Sequence, residues 1–300
     1  MSTPHNSSRS YFGSEVQSDA SLDIREKLAR SIGAMNARVG LPDRASDAEV
    51  QAELDRTFPK LAFDELERLG VELKGARVLD VGAGVGSCST EAALRGALPV
   101  ALEPGSGWRE LARDRLKEVG RGGSVVAATG ESMPFRSASF DVVVSLMVLE
   151  HVTSPERVIS EVFRVLKPGG TFYLACENYL GFREPHYGVA WLPLMPKRLG
   201  AAYLRLRGRP TEYLYDSITY VTRPGVTRLL ERSGFSLLSK QRFEESLGSG
   251  EQSTGRLDRN VLGLARRWVS DRTLAELWFR ARGLRHLCTG PIIELCRKPA

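Results

Sequence analysis

Asp80, Gly82, Ala83, Gly84 and Gly86 stand in the run Ala76-Arg-Val-Leu-Asp-Val-Gly-Ala-Gly-Val-Gly86, an apolar stretch ending in glycines spaced two apart. Such a turn brings backbone close to a bound small molecule, because residues without a Cβ leave room and accept positive φ. With a strand before it and a helix opening at Ser87-Cys88-Ser89, the turn belongs at the carboxyl end of a strand in an α/β sheet, where nucleotide-like ligands bind. The spacing departs from Gly-x-Gly-x-x-Gly, which offers a helix N-terminus to a pyrophosphate. Ser87 holds the place of the last glycine. Asp80, just before the turn, would repel a pyrophosphate and suit a cation such as a sulfonium bearing an α-amino group.

Three later segments extend the pattern. Pro99-Val-Ala-Leu-Glu-Pro104 reads as a second strand ending in Glu103, placed to accept both hydroxyls of a ribose. On its own Glu103 suits a dinucleotide enzyme equally well. Ala127-Ala-Thr-Gly-Glu-Ser-Met-Pro-Phe135 leads through Phe140-Asp141 into an apolar strand and Leu149-Glu-His-Val152. Val165-Leu-Lys-Pro-Gly-Gly-Thr-Phe-Tyr173 follows as a turn into another strand. Taken in order over residues 76–174, these segments resemble the class I S-adenosylmethionine-dependent methyltransferases of small-molecule type. The resemblance implies S-adenosyl-L-methionine as cofactor, held by Asp80, Gly82, Ala83, Gly84, Gly86 and Glu103, with Gly130, Glu131, Ser145 and Leu146 from the adenine-side loop and fourth strand. Many relatives carry Asp where this chain has Thr129. The contact to the adenine amine then falls to Glu131 or to backbone at Gly130, and Glu131 as an exposed loop residue is an equal alternative.

The elements that position these residues are legible in outline. Helical spacing covers Ser21 to Arg38 and Asp47 to Leu69, with Asp47 as N-cap of the second run. These helices would precede the sheet and cover the cofactor from above. Strand–helix alternation from Val78 to Leu174 implies a parallel sheet with helices on both faces. Ser154-Pro155 begins a helix with Val158, Val162 and Val165 on one side. A fifth strand at Thr171–Glu177, a helix at Arg223–Arg232, a sixth strand at Gly234–Arg242 and an antiparallel seventh at Pro291–Cys296 complete a Rossmann-like, seven-stranded, mostly parallel α/β sheet. The division expected is a disordered tail over 1–20 and one domain over 21–300, with helical inserts after strands five and six: a lid at 178–220 and a second insert at 244–289.

Composition bounds the setting. The chain has 300 residues, 42% hydrophobic, enough to bury a sizeable core. Its four cysteines, Cys88, Cys176, Cys288 and Cys296, form no Cys-x-x-Cys pair and read as reduced. No run of eighteen apolar residues exists and the first ten residues lack the apolar core of a secretory signal, so a cytoplasmic location is expected. The net charge of +6 gathers in Lys197-Arg198, Arg205, Arg207 and Arg209 and in Arg256–Arg285, without a zinc knuckle or an RNA-recognition signature. A small molecule, not a nucleic acid, is therefore the expected partner.

Substrate specificity belongs to the inserts, because connections at the carboxyl ends of strands surround the ligand crevice. Glu177-Asn-Tyr-Leu-Gly-Phe-Arg-Glu-Pro-His-Tyr-Gly188 and Trp191-Leu-Pro-Leu-Met-Pro196 combine prolines, exposed-looking aromatics and a histidine, as a lid over an acceptor would. Lys197 to Arg209 follows as an amphipathic helix with Leu199, Tyr203 and Leu206 on one face. That face either packs on the domain, the favoured reading, or rests with 191–209 on the anionic inner face of a membrane. In the second insert Trp268, Trp278 and Phe279 suit core packing or a homodimer interface, with acceptor-pocket lining as the other role.

Methyl transfer to a hydroxyl needs a proton acceptor, and histidine titrates in the right range. His5 and His286 fall outside the motifs; His151, after the fourth strand, and His186, in the lid, are the candidate catalytic residues. No His and carboxylate arrangement has metal-ligand spacing, so no metal is expected. The leading function is methylation of a hydroxyl on a sugar-containing, phenolic or lipid-linked metabolite. N- or C-methylation, an NAD-dependent oxidoreductase and a non-catalytic cofactor-binding module stand as alternatives.

Overall fold

A computed structural model describes residues 22–120, 123–238 and 290–300. The tail over 1–20, the insert at 244–289 with its tryptophans, His286, Cys288 and the Arg256–Arg285 stretch, and the end of the expected sixth strand lie outside the described residues.

Three helices open the described chain: α1 (Ile24–Arg38), α2 (Asp47–Leu54) and α3 (Thr57–Arg68). The N-cap of α2 is Ser46, not Asp47: Ser46 and Glu49 form a reciprocal capping box that satisfies two amide donors at once. The single helical run expected from Asp47 to Leu69 is two helices, because Arg56 takes a left-handed φ of 53° and turns the chain before Thr57. Alternation follows through β1 (Arg77–Val81), α4 (Ser87–Leu94), β2 (Leu98–Leu102), α5 (Ser106–Glu118), β3 (Ser124–Val126), β4 (Phe140–Leu146), a 3-10 turn at Leu149–His151, α6 (Pro155–Val165) and β5 (Leu166–Cys176). The chain continues with β6 (Arg183–Glu184), β7 (Val189–Ala190), α7 (Lys197–Leu206), α8 (Glu212–Asp216), α9 (Arg223–Arg232), β8 (Ser236–Leu237) and β9 (Ile292–Arg297).

The main sheet has seven strands in the order β3-β2-β1-β4-β5-β9-β8. Strands β1 to β5 are parallel, and β9 runs antiparallel to both β5 and β8. This is the mostly parallel α/β sheet expected. Strand alternation splits the core: Val142 and Val144 of β4 pack with α3 and α4 on one face, and Val143 packs with α6 and α9 on the other. Val158, Val162 and Val165 of α6 are wholly buried, as their spacing predicts, and each contributes about 1.5–3 kcal/mol by leaving water. Because β1 connects outward to β2 while β4 lies on its other side, the crevice beyond β1 and β4 is the topological switch point where ligands bind in open α/β sheets.

The 178–220 segment packs more deeply than its sequence suggested. Four of its aromatics, Tyr179, Tyr187, Trp191 and Tyr213, are buried and belong to the same core as α6, while Tyr215 is exposed. Helix α7 buries Gly200, Ala201 and Leu204, with Trp191 so close to Gly200 that a Cβ there would lie 2.4 Å from the ring. The expected face is split: Leu199 and Leu206 are 62% and 87% exposed, while Tyr203 is half-buried and packs edge-on against Trp191. Only a residue as small as Gly200 admits the indole, and that contact leaves Leu199 and Leu206 facing outward.

The glycine turn is shaped by close approach. A Cβ on Gly86, at φ 79°, would stand 2.8 Å from the Cα of Ala112 in α5, whereas nothing lies within 4 Å of a Cβ on Gly84. Gly86→Ala is expected to lose about 1–2 kcal/mol through the left-handed residue alone and more through the main-chain clash. Gly84→Ala should carry only the strain. Thermal denaturation checks this, and equal Tm values for the two variants would contradict the packing account.

Candidate active site

The cofactor half is built at the ends of β1 and β2. Asp80 is buried, and its Oδ2 accepts from the Ser89 N–H at 2.9 Å and the Ser89 hydroxyl at 2.6 Å. Gly86, the N-cap of α4, has no side chain to cap with, so Asp80 supplies from β1 the acceptor that a capping residue would. Burial pushes the Asp80 carboxyl up to about 6 in spite of these bonds. Glu103, also buried, bridges two loops: Oε2 accepts from the Gly84 N–H at 2.9 Å and Oε1 from the Gly105 N–H at 2.7 Å. Burial raises its pKa too, the two backbone donors lowering it in part. Gly82, Gly84 and Gly86 all have positive φ, and the open space beside Gly84 leaves its backbone accessible to a ligand.

Sequence reading missed the clamp behind this turn. Arg115 is buried and donates to the Ser87 hydroxyl at 2.6 Å, to the Val85 carbonyl at 3.3 Å and to the Glu53 carbonyl at 2.8 Å. The Ser87 hydroxyl in turn donates to the Glu53 carboxylate at 2.5 Å. The end of α2 is thereby tied to the glycine turn, the position expected for the preceding helices. No motif marks Arg115; a basic residue on the buried side of α5 is the one available signal.

On the adenine side, Gly130 faces the core, a Cβ there lying 3.2 Å from Val81. Glu131 is half-buried and its Oε1 accepts from the Thr153 N–H at 2.9 Å, so its carboxylate braces the start of α6. Ser145 is wholly buried and its hydroxyl has no hydrogen-bond partner, while Leu146 is half-buried at the strand end. Met147 follows with φ 57°, a strained conformation at the mouth of the crevice.

The second half brings together residues 35 apart in the chain. His151 and His186 meet with their Nε2 atoms 3.3 Å apart. His151 donates from Nδ1 to the Ser217 carbonyl at 2.7 Å, which leaves Nε2 as its acceptor. His186 donates from Nδ1 to Glu184 Oε1 at 3.0 Å. Glu184 is fully buried and also accepts from the Tyr179 hydroxyl at 3.2 Å and the Tyr187 N–H at 2.5 Å. The environments push the two imidazoles apart. Burial and the neighbouring His186 charge bring His151 down to about 3, whereas the Glu184 carboxylate raises His186 against the opposing effect of burial. Tyr213 lies against both rings, with Arg38 over its own ring at 4.8 Å.

Glu150 joins the pair from the 3-10 turn. It is wholly buried, Oε1 accepts from the Glu177 N–H at 3.3 Å, Oε2 has no hydrogen-bond partner, and burial raises its carboxyl to about 7. One ligand atom each from Glu150, His151 and His186 lies within 4.8 Å of the others. No metal-ligand spacing in the sequence marks this group; the fold brings the three side chains together. Glu150 and Glu184, absent from the expected site, flank the two histidines in Leu149-Glu-His151 and Arg183-Glu-Pro-His186. The two halves are joined through Val148, whose methyls would be 2.5 Å and 2.9 Å from a Cβ on Gly82. A cleft of about 750 Å³ between α1 and α2, lined by Arg25, Asn36, Asp43 and Glu49, contains none of these residues, so volume does not mark the site.

Comparison with known proteins agrees with this geometry. Residues 79–174 match a family model described as a methyltransferase domain. An uncharacterized methyltransferase of Mycolicibacterium gilvum is 34% identical over 139 residues, covering 44% of this chain and 54% of that protein. An uncharacterized protein of Mycobacterium tuberculosis is 27% identical over 215 residues, covering 69% of this chain and 71% of its own. The chain spans about half the length of the curated relatives described as methyltransferases in M. gilvum and M. tuberculosis. Among solved structures, a candidate sarcosine dimethylglycine methyltransferase of Galdieria sulphuraria superposes with a TM-score of 0.51 at 18% identity, over 81% of this chain and 86% of that one. A candidate methyltransferase of Bacillus halodurans gives 0.50 at 18% identity, over 79% and 98%. These two share the fold.

A cationic ligand binds best when Asp80 is ionised. Affinity for S-adenosylmethionine is therefore expected to fall as pH drops below about 6, where the carboxyl takes up its proton. Asp80→Asn should lower affinity at neutral pH and flatten the dependence. Calorimetric titration across that range checks this; a wild-type affinity independent of pH would remove Asp80 from the binding account.

Proposed function

From the methyltransferase domain matched over residues 79–174 and the methyltransferase relative 34% identical over 139 residues, we propose that the chain is a class I S-adenosylmethionine-dependent methyltransferase that moves the methyl group of S-adenosyl-L-methionine to a hydroxyl of a small-molecule acceptor. The observation that carries this reading is the Glu184–His186–His151 chain of hydrogen bonds at the carboxyl ends of β4 and β5. In the transfer, the acceptor oxygen attacks the methyl carbon, the carbon–sulfur bond breaks, and the leaving thioether is neutral. The hydroxyl proton must go elsewhere, and His186 in its neutral form, with Glu184 behind Nδ1, is the group placed to receive it at Nε2. The cofactor is already activated by its charge. The protein mainly supplies alignment, which accounts for roughly 7–11 kcal/mol in well-oriented reactions, and the buried aromatics of 178–220 keep water from the reacting atoms.

The outer surface of the same segment supports a lipid-linked acceptor over a freely diffusing one. Leu192, Leu194, Leu199 and Leu206 are 64%, 46%, 62% and 87% exposed, and Arg198, Arg205 and Arg207 stand among them. An exposed apolar row rimmed by cations suits the surface of an anionic membrane. Three arginines add about 3 kcal/mol at such a surface. Among the described residues no helix is long and apolar enough to cross a membrane, so the contact is peripheral.

Two measurements test the reading. His186→Ala should lower kcat by about 10²–10⁴-fold, the range of a lost acid–base group, while the affinity for S-adenosylhomocysteine stays unchanged. Undiminished turnover of a hydroxyl acceptor would reject the assignment. Wild type should co-sediment with phosphatidylglycerol vesicles, and the triple variant Arg198→Glu, Arg205→Glu, Arg207→Glu should not. Absence of both from the pellet would reject the membrane contact.

A further inference from the structure

The histidine pair sits in an arrangement that proton transfer alone does not require. Its Nε2···Nε2 separation of 3.3 Å equals the edge of a tetrahedron around an ion with Zn–N bonds of about 2.0–2.1 Å. Each ring has its far nitrogen engaged, by the Ser217 carbonyl for His151 and by the Glu184 carboxylate for His186. Metal-binding histidines are held in this way, since the outer partner fixes both ring orientation and tautomer. A single bridging proton satisfies the two Nε2 atoms when no ion is present. It does nothing for Glu150, whose wholly buried Oε2 has no hydrogen-bond partner. Such an atom is costly unless something pairs with it. Charge points the same way. Glu150 and Glu184 are fully buried and Glu177 is half-buried, while the neighbouring guanidinium of Arg38 is stacked on Tyr213. A divalent cation offsets more of this negative charge than one imidazolium does.

The geometry points to a binding site for a divalent first-row transition ion of the zinc class, with Glu150, His151 and His186 as ligands. Two imidazoles and one carboxylate suit such an ion, whereas Mg²⁺ and Ca²⁺ prefer oxygen throughout. Three protein ligands leave a fourth position open, as catalytic sites of this class do. His186 is partly exposed while Glu150 is not, so entry is from the His186 side. If this end of the crevice is the acceptor site, as the proposed function has it, the open position takes the acceptor oxygen and the ion, in place of the imidazoles, makes its proton acidic enough to leave to water. Binding of the ion itself does not depend on that reading.

The test uses tag-free, full-length protein stripped with a chelator and titrated with ZnCl₂ alone, followed by metal analysis after gel filtration. Wild type should retain one ion per chain, His151→Ala and His186→Ala none. Glu184→Gln, which changes the partner that orients His186 and leaves the three ligands in place, should weaken binding by about 10–100-fold. Glu150→Gln keeps the side-chain shape and should weaken it as well. S-adenosylhomocysteine titration of every variant reports whether the fold and the cofactor half survive. Wild type that binds S-adenosylhomocysteine but retains no zinc overturns the site and leaves methyl transfer standing, as does equal zinc uptake by wild type and His186→Ala. Zinc uptake as expected beside absent S-adenosylhomocysteine binding supports the site and strikes the methyltransferase reading instead.

Discussion

Backbone free of side chains at Gly82 and Gly86 lets the turn after β1 press directly on Val148 and on Ala112. The first contact brings the end of β4, and with it the 3-10 turn holding Glu150 and His151, against the glycine turn. The second seats α5 and so carries Arg115 to Ser87 and Glu53. A Cβ at either glycine would separate elements that the site needs in contact. The glycines therefore serve two purposes, room for a ligand at Gly84 and close packing of two neighbouring elements at Gly82 and Gly86.

Buried charge is the second constraint. Asp80, Glu103, Arg115, Glu150 and Glu184 are all withdrawn from water, where an unpartnered ion is costly. Most are matched: Asp80 by Ser89, Glu103 by the Gly84 and Gly105 amides, Arg115 by two carbonyls and a hydroxyl, and Glu184 by Tyr179, Tyr187 and His186. These bonds make the carboxylates part of the scaffold, fixing their oxygens relative to the turn and the imidazoles. Glu150 Oε2 and Ser145 Oγ are exceptions within the crevice region. Sites whose polar groups are incompletely satisfied within the protein are where a ligand has most to offer.

The cofactor half was legible in the chain because it is local. A strand, a turn and a helix N-terminus are consecutive in sequence, so Asp80, the three glycines and Ser87 declare their geometry through their spacing. Glu103 follows one strand later, at a distance set by the βαβ unit. The capping of α2 was misplaced by one residue because Ser46 and Asp47 both have capping chemistry, and only the reciprocal bond from Glu49 chooses between them. Helix α7 exposed a different limit. Periodicity finds an apolar face, but which face is covered depends on what lies nearby, and Trp191 against Gly200 decided it.

Sequence by itself determined the sheet, the glycine turn and the class of ligand that turn accepts, since each rests on contacts between near neighbours. It also singled out His151 and His186 by chemistry, without any indication that they meet. Only the tertiary structure decided that meeting, because His186 comes from an insert whose path is set by burying Tyr179, Tyr187, Trp191 and Tyr213 in the core. The same burial places Glu184 behind one imidazole and Glu150 beside the other. Proximity across 35 residues is a property of packing, and packing depends on the sum of many distant contacts that no local pattern encodes.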